Sequence, residues 1–270
     1  MSNTILSIKG LTKQYGKDVH ALRGIDVEFG AGEFVIVIGP SGAGKSTFIR
    51  CINRMIDATS GEIVFDGVHM EKLSGAKLRR QRSSIGMIFQ HYNLVGRVNV
   101  IKNVLYGCLG KMSAFQSLLG LYSEKDKCEA VRLLKKVGLE EQIYKRADAL
   151  SGGQMQRVGI CRAIVQAPKL LLADEPIASL DPKSADIVMD QIKEITQEQY
   201  LTCIVNLHQV EYAKRYASRI IGIKSGLIVF DGTPEELTDG IISNIYEGKE
   251  EQMELEAAKT VSAQKGVQYA

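Results

Sequence analysis

The sequence lacks a strong excess of either charge. Its 270 residues include 34 Lys and Arg against 31 Asp and Glu, which gives a formal net charge of +3. A protein whose main partner is nucleic acid or an anionic membrane surface usually carries a more one-sided charge. We therefore expect a chain that binds no nucleic acid.

Paired cysteines and long apolar runs are also lacking. The five cysteines show no Cys-x-x-Cys pair and are Cys51, Cys108, Cys128, Cys161 and Cys203. Scattered cysteines of this kind favour a reducing cytosol and buried small apolar side chains over a disulfide framework. No run approaches the roughly 18 apolar residues of a membrane span, and the first ten residues do not resemble a signal peptide. We expect a soluble chain that reaches a membrane only through a partner.

Strand patterns alternate with helical patterns along the chain. Residues 34–38, FVIVI, are continuously apolar and mostly β-branched, as expected of a strand buried on both faces. The next segment, KSTFIRCINRM, has the apolar spacing of a helix. Later strand patterns, separated by helical segments, are RSSIGMIFQ, KLLLADEP, LTCIVNLH and RIIGIKSGLIVFDG. This alternation predicts a parallel sheet covered by helices.

A phosphate-binding loop lies between the first buried strand and the helix that follows. The segment GPSGAGKST matches the pattern G-x-x-x-x-G-K-[ST]. Glycines let the backbone approach an anion closely, and the N–H groups at a helix start then point toward it. Lys45 should reach the β- and γ-phosphates of a nucleotide, and Ser46 should ligate Mg²⁺. The predicted nucleotide-binding residues are Gly39, Pro40, Ser41, Gly42, Ala43, Gly44, Lys45, Ser46 and Thr47.

Two acidic residues end another buried strand. Asp174 and Glu175 follow four apolar residues in KLLLADEP. The carboxyl edge of a parallel sheet is where such folds bind ligands. Asp174 is therefore a candidate Mg²⁺ ligand, directly or through water, and Glu175 a candidate base for an attacking water. Without the upstream loop, a surface turn with two acids would be the simpler interpretation.

A second glycine-rich segment, ADALSGGQMQR, is predicted to begin a helix without a lysine or acid placed for phosphate chemistry. Ser151 followed by Gly152 and Gly153 could cap that helix or present N–H groups to an anion, and both roles are compatible. Together with GPSGAGKST, LLLADEP, SLDP and NLHQ, this LSGGQ segment resembles the ATP-binding subunits of ABC transporters. The resemblance covers about residues 5–237.

The resemblance implies a P-loop NTPase fold with a RecA-like α/β core, an N-terminal antiparallel β subdomain and an inserted α-helical subdomain. We assign the ATP-binding cassette to residues 1–246, the helical subdomain to about residues 95–165, and a polar tail to residues 247–270. The apolar stretch Leu94–Leu121 is either a docking groove for a permease or ordinary core of the helical subdomain.

Further roles follow from the resemblance alone. In this family two cassettes sandwich ATP head to tail, so a second copy would present its own signature segment to each phosphate loop. Gln90 resembles the glutamine that senses Mg²⁺ and water, and His208 resembles the switch histidine that contacts the γ-phosphate. Asp181 matches the loop that couples the two sites, and Tyr15 matches the aromatic residue that stacks on adenine. The signature residues that would bind ATP in trans are Ser151, Gly152, Gly153 and Gln154.

Two segments are similar to segments of the ATP-binding subunits of phosphonate importers: FQHYNLVGRVNVIKNVLYGCLG and NLHQVEYAKRYASRIIGIKSGLIVFDG. That similarity implies an ATPase on the cytoplasmic side of the cell membrane, with permease subunits, and indirectly an extracytoplasmic solute-binding protein, as partners. An importer for phosphate, phosphite or a polar amino acid is the alternative. ABC ATPases of ribosomes or DNA repair are disfavoured, because the chain has one cassette and no sustained heptads. A P-loop kinase would leave LSGGQ and His208 unexplained.

Overall fold

Two β-sheets and the helices packed around them form the structure, a computed structural model that describes residues 4–247. The strands are β1 (Thr4–Tyr15), β2 (Val19–Gly30), β3 (Phe34–Ile38), β4 (Ser60–Phe65), β5 (Val68–His69), β6 (Ile85–Ile88), β7 (Leu170–Asp174), β8 (Thr202–Asn206), β9 (Arg219–Lys224) and β10 (Leu227–Gly232). The helices are α1 (Lys45–Ile52), α2 (Gly75–Arg82), α3 (Val100–Leu105), α4 (Ala114–Leu119), α5 (Glu124–Lys136), α6 (Gly152–Ile164), α7 (Pro182–Glu198), α8 (Val210–Tyr216) and α9 (Asp239–Tyr246).

The larger sheet has the order β10-β9-β3-β8-β7-β6, and every neighbouring pair except β10 with β9 is parallel. The smaller sheet has the order β2-β1-β4-β5 and is antiparallel throughout. The predicted α/β fold with an N-terminal antiparallel unit is confirmed.

Strand β3 shows how the core is divided. All five of its residues are buried. Because successive side chains of a strand point to opposite faces, Phe34, Ile36 and Ile38 join one apolar cluster. Val35 and Val37 join the other, which includes the apolar residues of the smaller sheet and of α1. The parallel sheet therefore lies between two apolar layers, which explains its continuous apolar runs.

Helices α3 to α6 all lie between β6 and β7 in the chain, and α3, α5 and α6 pack against one another. The prediction that about residues 95–165 form a separate inserted subdomain remains a prediction. The apolar stretch Leu94–Leu121 is partly core and partly surface. Val100 and Val104 are fully buried, whereas Phe115 and Leu118 are 69% and 85% exposed.

Three other predictions concern the cysteines, membrane-spanning segments and the polar tail. Four of the five cysteines are buried as predicted, but Cys128 is exposed on α5. Within residues 4–247, no helix combines the length and apolar character that a membrane crossing requires. The predicted polar tail lies outside the described residues, apart from Glu247.

Candidate active site

The phosphate loop joins β3 to α1, and its backbone has the conformation that its glycines allow. Gly39 and Gly44 have φ values of 148° and 105°. A Cβ atom on Gly39 would lie 2.0 Å from the carbonyl oxygen of Ile223, and one on Gly44 would lie 2.3 Å from that of Ala21. Both positions therefore need glycine. Gly44 is also the N-cap of α1, so the first N–H groups of that helix border the loop.

Lys45 begins α1, and its side chain reaches back across the loop. It is 4% exposed, and its Nζ atom donates to the carbonyl oxygens of Gly39 at 2.7 Å and Pro40 at 3.0 Å. The same Nζ lies 3.4 Å from Nδ1 of His208. A buried cation beside a helix N-terminus is well placed to bind phosphate oxygens.

Asp174 is held by two partners that sequence reasoning missed. Its Oδ2 atom accepts hydrogen bonds from Nε of Arg50 at 2.9 Å and from Nη2 at 2.8 Å. Its Oδ1 atom accepts from Nδ2 of Asn206 at 2.8 Å, and that nitrogen lies 3.3 Å from Oγ of Ser46. Since Asp174 is 2% exposed, these contacts satisfy a charge that would be costly to bury alone. Ser46 and Asp174, two of the three predicted metal ligands, are thus joined through Asn206.

Asn206 also fixes the position of Glu175. The register of β7 and β8 pairs Asp174 with Asn206, and the backbone N–H of Glu175 donates to Oδ1 of Asn206. Asn206 is fully buried, and its neighbours in the chain, Val205 and Leu207, are both apolar. That interruption of an apolar run by an amide is the signal by which the sequence could have revealed it.

Glu175 and His208 form the most direct contact between two predicted catalytic residues. Oε1 of Glu175 lies 2.7 Å from Nε2 of His208. The Glu175 side chain is 16% exposed and that of His208 is 38% exposed, so the pair is accessible at the end of the sheet. Glu175 has a φ of 51°, in the left-handed region that non-glycine residues rarely adopt. Such strain is common at active sites.

A cavity of about 220 Å³ brings most of these residues together. It is lined by Ala21, Ser41, Gly42, Gly44, Lys45, Ser46, Thr47, Glu175 and His208. Eight of these nine residues belong to the predicted nucleotide-binding and catalytic set, and Ala21 was not predicted. A pocket with a helix N-terminus, a lysine and an adjacent carboxylate–histidine pair can bind a polyphosphate and activate a water beside it.

The signature segment folds as a capped helix start outside this cavity. The Oγ atom of Ser151 accepts from the backbone N–H of Gln154 at 3.3 Å, and Oε1 of Gln154 accepts from that of Ser151 at 3.0 Å. A Cβ atom on Gly152 would lie 2.7 Å from the Tyr92 hydroxyl, and one on Gly153 would lie 3.1 Å from Oγ of Ser184. The helix start thus packs closely against its own chain.

Gln90, Asp181 and Tyr15 also lie outside the nine lining residues. Gln90 borders a separate cavity of about 360 Å³ between residues 90–96 and the segment that precedes α6. Asp181 is the N-cap of α7, and hydrogen bonds led by the Ser184 side chain lower the pKa of its carboxyl group. Tyr15 is 41% exposed at the end of β1, with Nζ of Lys13 at 5.0 Å from its ring centroid.

A magnesium ion fits the residues at the loop. No cluster of three or more His, Cys, Asp or Glu suited to a metal ion is found within residues 4–247. Mg²⁺ does not need one, because it commonly takes one or two protein oxygens together with waters and substrate phosphates. The Ser46 hydroxyl and Asp174 carboxylate, linked through Asn206, are oxygen donors of that kind.

Comparisons with known proteins agree with this geometry. A family model described as ABC transporter matches residues 22–178. The chain is 54% identical over 243 residues to the Phosphonates import ATP-binding protein PhnC 2 of Oceanobacillus iheyensis, covering 90% of this chain and 96% of that one. It is 51% identical over 238 residues to PhnC of Treponema denticola, covering 88% and 93%.

Two solved structures show the same fold. One is a dimeric ATP-binding cassette in a post-hydrolysis state bound to ADP and Pi, with a TM-score of 0.74 and 30% identity over 86% of this chain and 100% of that chain. The other is cbiO1 from Clostridium perfringens, part of the ABC transporter complex cbiONQ, with a TM-score of 0.75 and 28% identity over 90% and 94%.

Proposed function

This chain belongs to the ABC transporter family of ATP-binding proteins, and from that membership we propose that it is the ATP-hydrolysing subunit of a phosphonate importer. The contact between Glu175 and His208 beside the phosphate-loop cavity is the observation that carries the hydrolytic role. Relatives named for phosphonate import, about half identical over nine-tenths of the chain, support the solute class. An importer of phosphate, phosphite or a polar amino acid is the competing function.

The mechanism follows from the positions of the side chains. The α1 N-terminus and Lys45 hold the β- and γ-phosphates of ATP and stabilise the charge that spreads over the γ-phosphoryl group. Glu175 accepts a proton from a water placed in line with the γ-phosphate. His208 orients Glu175 through their 2.7 Å contact, and its opposite ring nitrogen lies near Lys45. Tyr15, exposed at the end of β1, is the residue proposed to supply a face for adenine.

Ser46 and Asp174 are the residues proposed to hold Mg²⁺, with Gln90 as a further proposed ligand. When bound, the ion would neutralise phosphate charge. The chain's own contribution is to keep both oxygen donors oriented, since Asn206 contacts each of them and Arg50 fixes the far oxygen of Asp174. Without Asn206, these donors and Glu175 would lose their common support.

A second copy of the chain is proposed to complete the ATP site. Ser151, Gly152, Gly153 and Gln154 lie outside the cavity formed by their own chain, yet they begin a helix whose N–H groups suit an anion. A head-to-tail dimer would place this helix start against the γ-phosphate held by the partner. Asp181 caps α7 by accepting a hydrogen bond from the backbone N–H of Ser184. The Ser184 side chain in turn packs against Gly153, so Asp181 is connected to the signature segment through Ser184.

Permease subunits are proposed to dock beside the Gln90 segment. A groove of about 560 Å³ adjoins it, with Met87 and Phe89 among its apolar residues and Arg79 and Arg82 among its basic ones. The buried Oδ1 atom of Asn53, which also lines the groove, has no hydrogen-bond partner within residues 4–247. A partner segment with apolar side chains, acidic side chains and a hydrogen-bond donor for Asn53 would fit this groove. The chain would then lie peripherally on the cytoplasmic side, and a solute-binding protein would deliver phosphonate outside.

Growth on a phosphonate as sole phosphorus source tests the solute assignment. A strain that lacks this chain should fail on a phosphonate but grow on phosphate, and the wild-type chain should restore growth. The Glu175→Gln variant should not restore it. Normal growth of the deletion strain on phosphonate, with loss of growth on phosphite or an amino acid, would overturn the phosphonate assignment and leave the ATPase assignment intact.

A further inference from the structure

The last residue of α9 contacts the backbone of the proposed switch histidine. The Oη atom of Tyr246 donates a hydrogen bond to the carbonyl oxygen of His208 at 3.2 Å. The Tyr246 ring is partly buried and packs against the larger apolar cluster. Tyr246 lies outside the nine residues that line the phosphate-loop cavity, so its contact with the site passes through His208.

The acceptor of this hydrogen bond, the His208 carbonyl, lies just after β8, where the regular sheet ends. The N–H of Leu207 donates to the carbonyl oxygen of Val37 at 3.0 Å and so extends the pairing beyond β8. Helix α8 does not begin until Val210, with Gln209 as its N-cap. His208 therefore lies between two regular elements, and the Tyr246 hydroxyl restrains its carbonyl there. That peptide is bonded to the Cα atom of His208, so holding its carbonyl limits rotation of the backbone that carries the imidazole.

Burial raises the pKa of the Tyr246 hydroxyl, while the backbone N–H of Gly39 acts to lower it. The net raised pKa keeps the hydroxyl protonated at neutral pH, so it remains a donor. The hydroxyl is therefore available to donate to the carbonyl oxygen of His208.

Helix α9 is anchored firmly enough to position that hydroxyl. Ile245 is fully buried, and a Cβ atom on Gly222 of β9 would lie 2.7 Å from its Cδ1 atom. Lys224 donates from Nζ to the carbonyl oxygen of Asn244. Helix α9 thus packs closely on β9, the strand that pairs with β3 immediately before the phosphate loop. The position of Tyr246 is set by this packing.

We propose that Tyr246 is a positioning residue for ATP hydrolysis, whose hydroxyl holds the His208 backbone so that the imidazole stays on Glu175. This inference rests on the proposed ATPase function. It assigns a part of the reaction to α9, which supplies none of the residues that line the cavity. Because the hydroxyl acts through His208, its loss should slow the chemical step without weakening ATP binding.

The test compares Tyr246→Phe with Tyr144→Phe in the full-length chain. The first variant keeps the packed ring and removes the hydroxyl, whereas Tyr144 is 80% exposed and serves as a matched control. Loss of one hydrogen bond should lower kcat about two- to tenfold, with the KM and Kd for ATP within about twofold of wild type. The control should keep the wild-type kcat. Rates are divided by ATP-binding capacity, so a smaller folded fraction does not imitate the effect.

A double-mutant cycle with His208→Ala separates positioning from a general structural role. If Tyr246 acts through the imidazole, adding Tyr246→Phe to His208→Ala should lower the residual kcat no further. A second decrease of equal size would overturn the proposal, as would a Tyr246→Phe variant with wild-type kcat. If the wild-type chain itself hydrolyses no ATP, the failure belongs to the proposed function and not to Tyr246.

Discussion

Asn206 lies between Asp174 and Glu175, donating from Nδ2 to the carboxylate of the first and accepting at Oδ1 from the backbone N–H of the second. One buried amide thereby fixes a proposed metal ligand and the proposed base. The parallel register of β7 and β8 makes this possible, because it pairs Asp174 with Asn206 directly. The geometry of the site is therefore set by a strand pair as well as by the phosphate loop.

Replacing Asn206 with Ala should destabilise the protein. The substitution leaves the Oδ1 atom of Asp174 and the N–H of Glu175 without their buried partner, which costs about 1–3 kcal/mol. Urea unfolding of Asn206→Ala measures this loss, and Asn244→Ala, on the exposed side of α9, is the control. An unchanged urea midpoint for Asn206→Ala would show that the amide does not hold the site.

Glu175→Gln should separate ATP binding from hydrolysis. The amide keeps the shape of the side chain but cannot accept the proton of the attacking water, so kcat should fall at least about 100-fold. ATP binding should persist, and the variant should elute as a dimer with ATP on size-exclusion chromatography. Glu124→Gln, at an exposed position on α5, provides the control. Hydrolysis by Glu175→Gln at the wild-type rate would exclude Glu175 as the base.

Features of the site formed by consecutive residues could be predicted from the sequence, whereas features formed by residues far apart in the chain could not. The phosphate loop and the Asp174–Glu175 pair are local: each occupies a few consecutive residues after an apolar strand, and each was predicted. Arg50 and Asn206 were missed because their roles depend on how α1 and two strands meet in space. Tyr246 was missed for the same reason, since 38 residues separate it from the carbonyl that it contacts.

Cys128 shows the opposite kind of failure. Scattered cysteines suggested buried apolar side chains, but composition does not reveal which face of an amphipathic helix a residue occupies. Cys128 lies on the outer face of α5, while Ala130, Leu133 and Leu134 of the same helix are buried. The apolar stretch Leu94–Leu121 illustrates the same limit, because the sequence alone does not distinguish a docking groove from helical-subdomain core there.

Thiol titration should therefore find one reactive cysteine per chain. Burial raises the pKa of Cys51 to about 11 and that of Cys108 to about 12, and it also raises the pKa values of Cys161 and Cys203. At pH 8 roughly one in a thousand or fewer of the Cys51 thiols would be ionised, and the thiolate is the reactive form. Ellman's reagent should modify one thiol in native protein and five after denaturation. Cys128→Ser should remove the native reaction; rapid modification of a second thiol would contradict the burial of the other four.

Arg79→Glu should weaken coupling to the permease without slowing the isolated ATPase. Arg79 lines the groove beside the Gln90 segment, whereas the neighbouring exposed Arg80 is not among its lining residues and serves as the control. We expect Arg79→Glu to reduce phosphonate uptake in cells several-fold more than Arg80→Glu does, while both purified chains keep the wild-type kcat. Equal uptake by the two variants would place the permease contact elsewhere.

The composite ATP site makes the most direct prediction, because it requires two copies of the chain. Ser151→Arg should abolish hydrolysis while ATP still binds its own phosphate loop, and Lys45→Ala should abolish hydrolysis by impairing that loop. Mixing the two inactive variants creates dimers that hold one intact site, formed by the loop of one chain and the signature of the other. When the chains pair at random, the mixture contains about a quarter of the intact sites that the same amount of wild-type protein would contain.

The measurement is the ATPase rate of a one-to-one mixture of Ser151→Arg and Lys45→Ala, compared with each variant alone. Head-to-tail sharing of the signature predicts that the mixture recovers up to about a quarter of the wild-type rate, although neither variant is active by itself. A mixture as inactive as its components, when both are folded and size-exclusion chromatography shows them paired, would contradict it. So would full activity of Ser151→Arg alone.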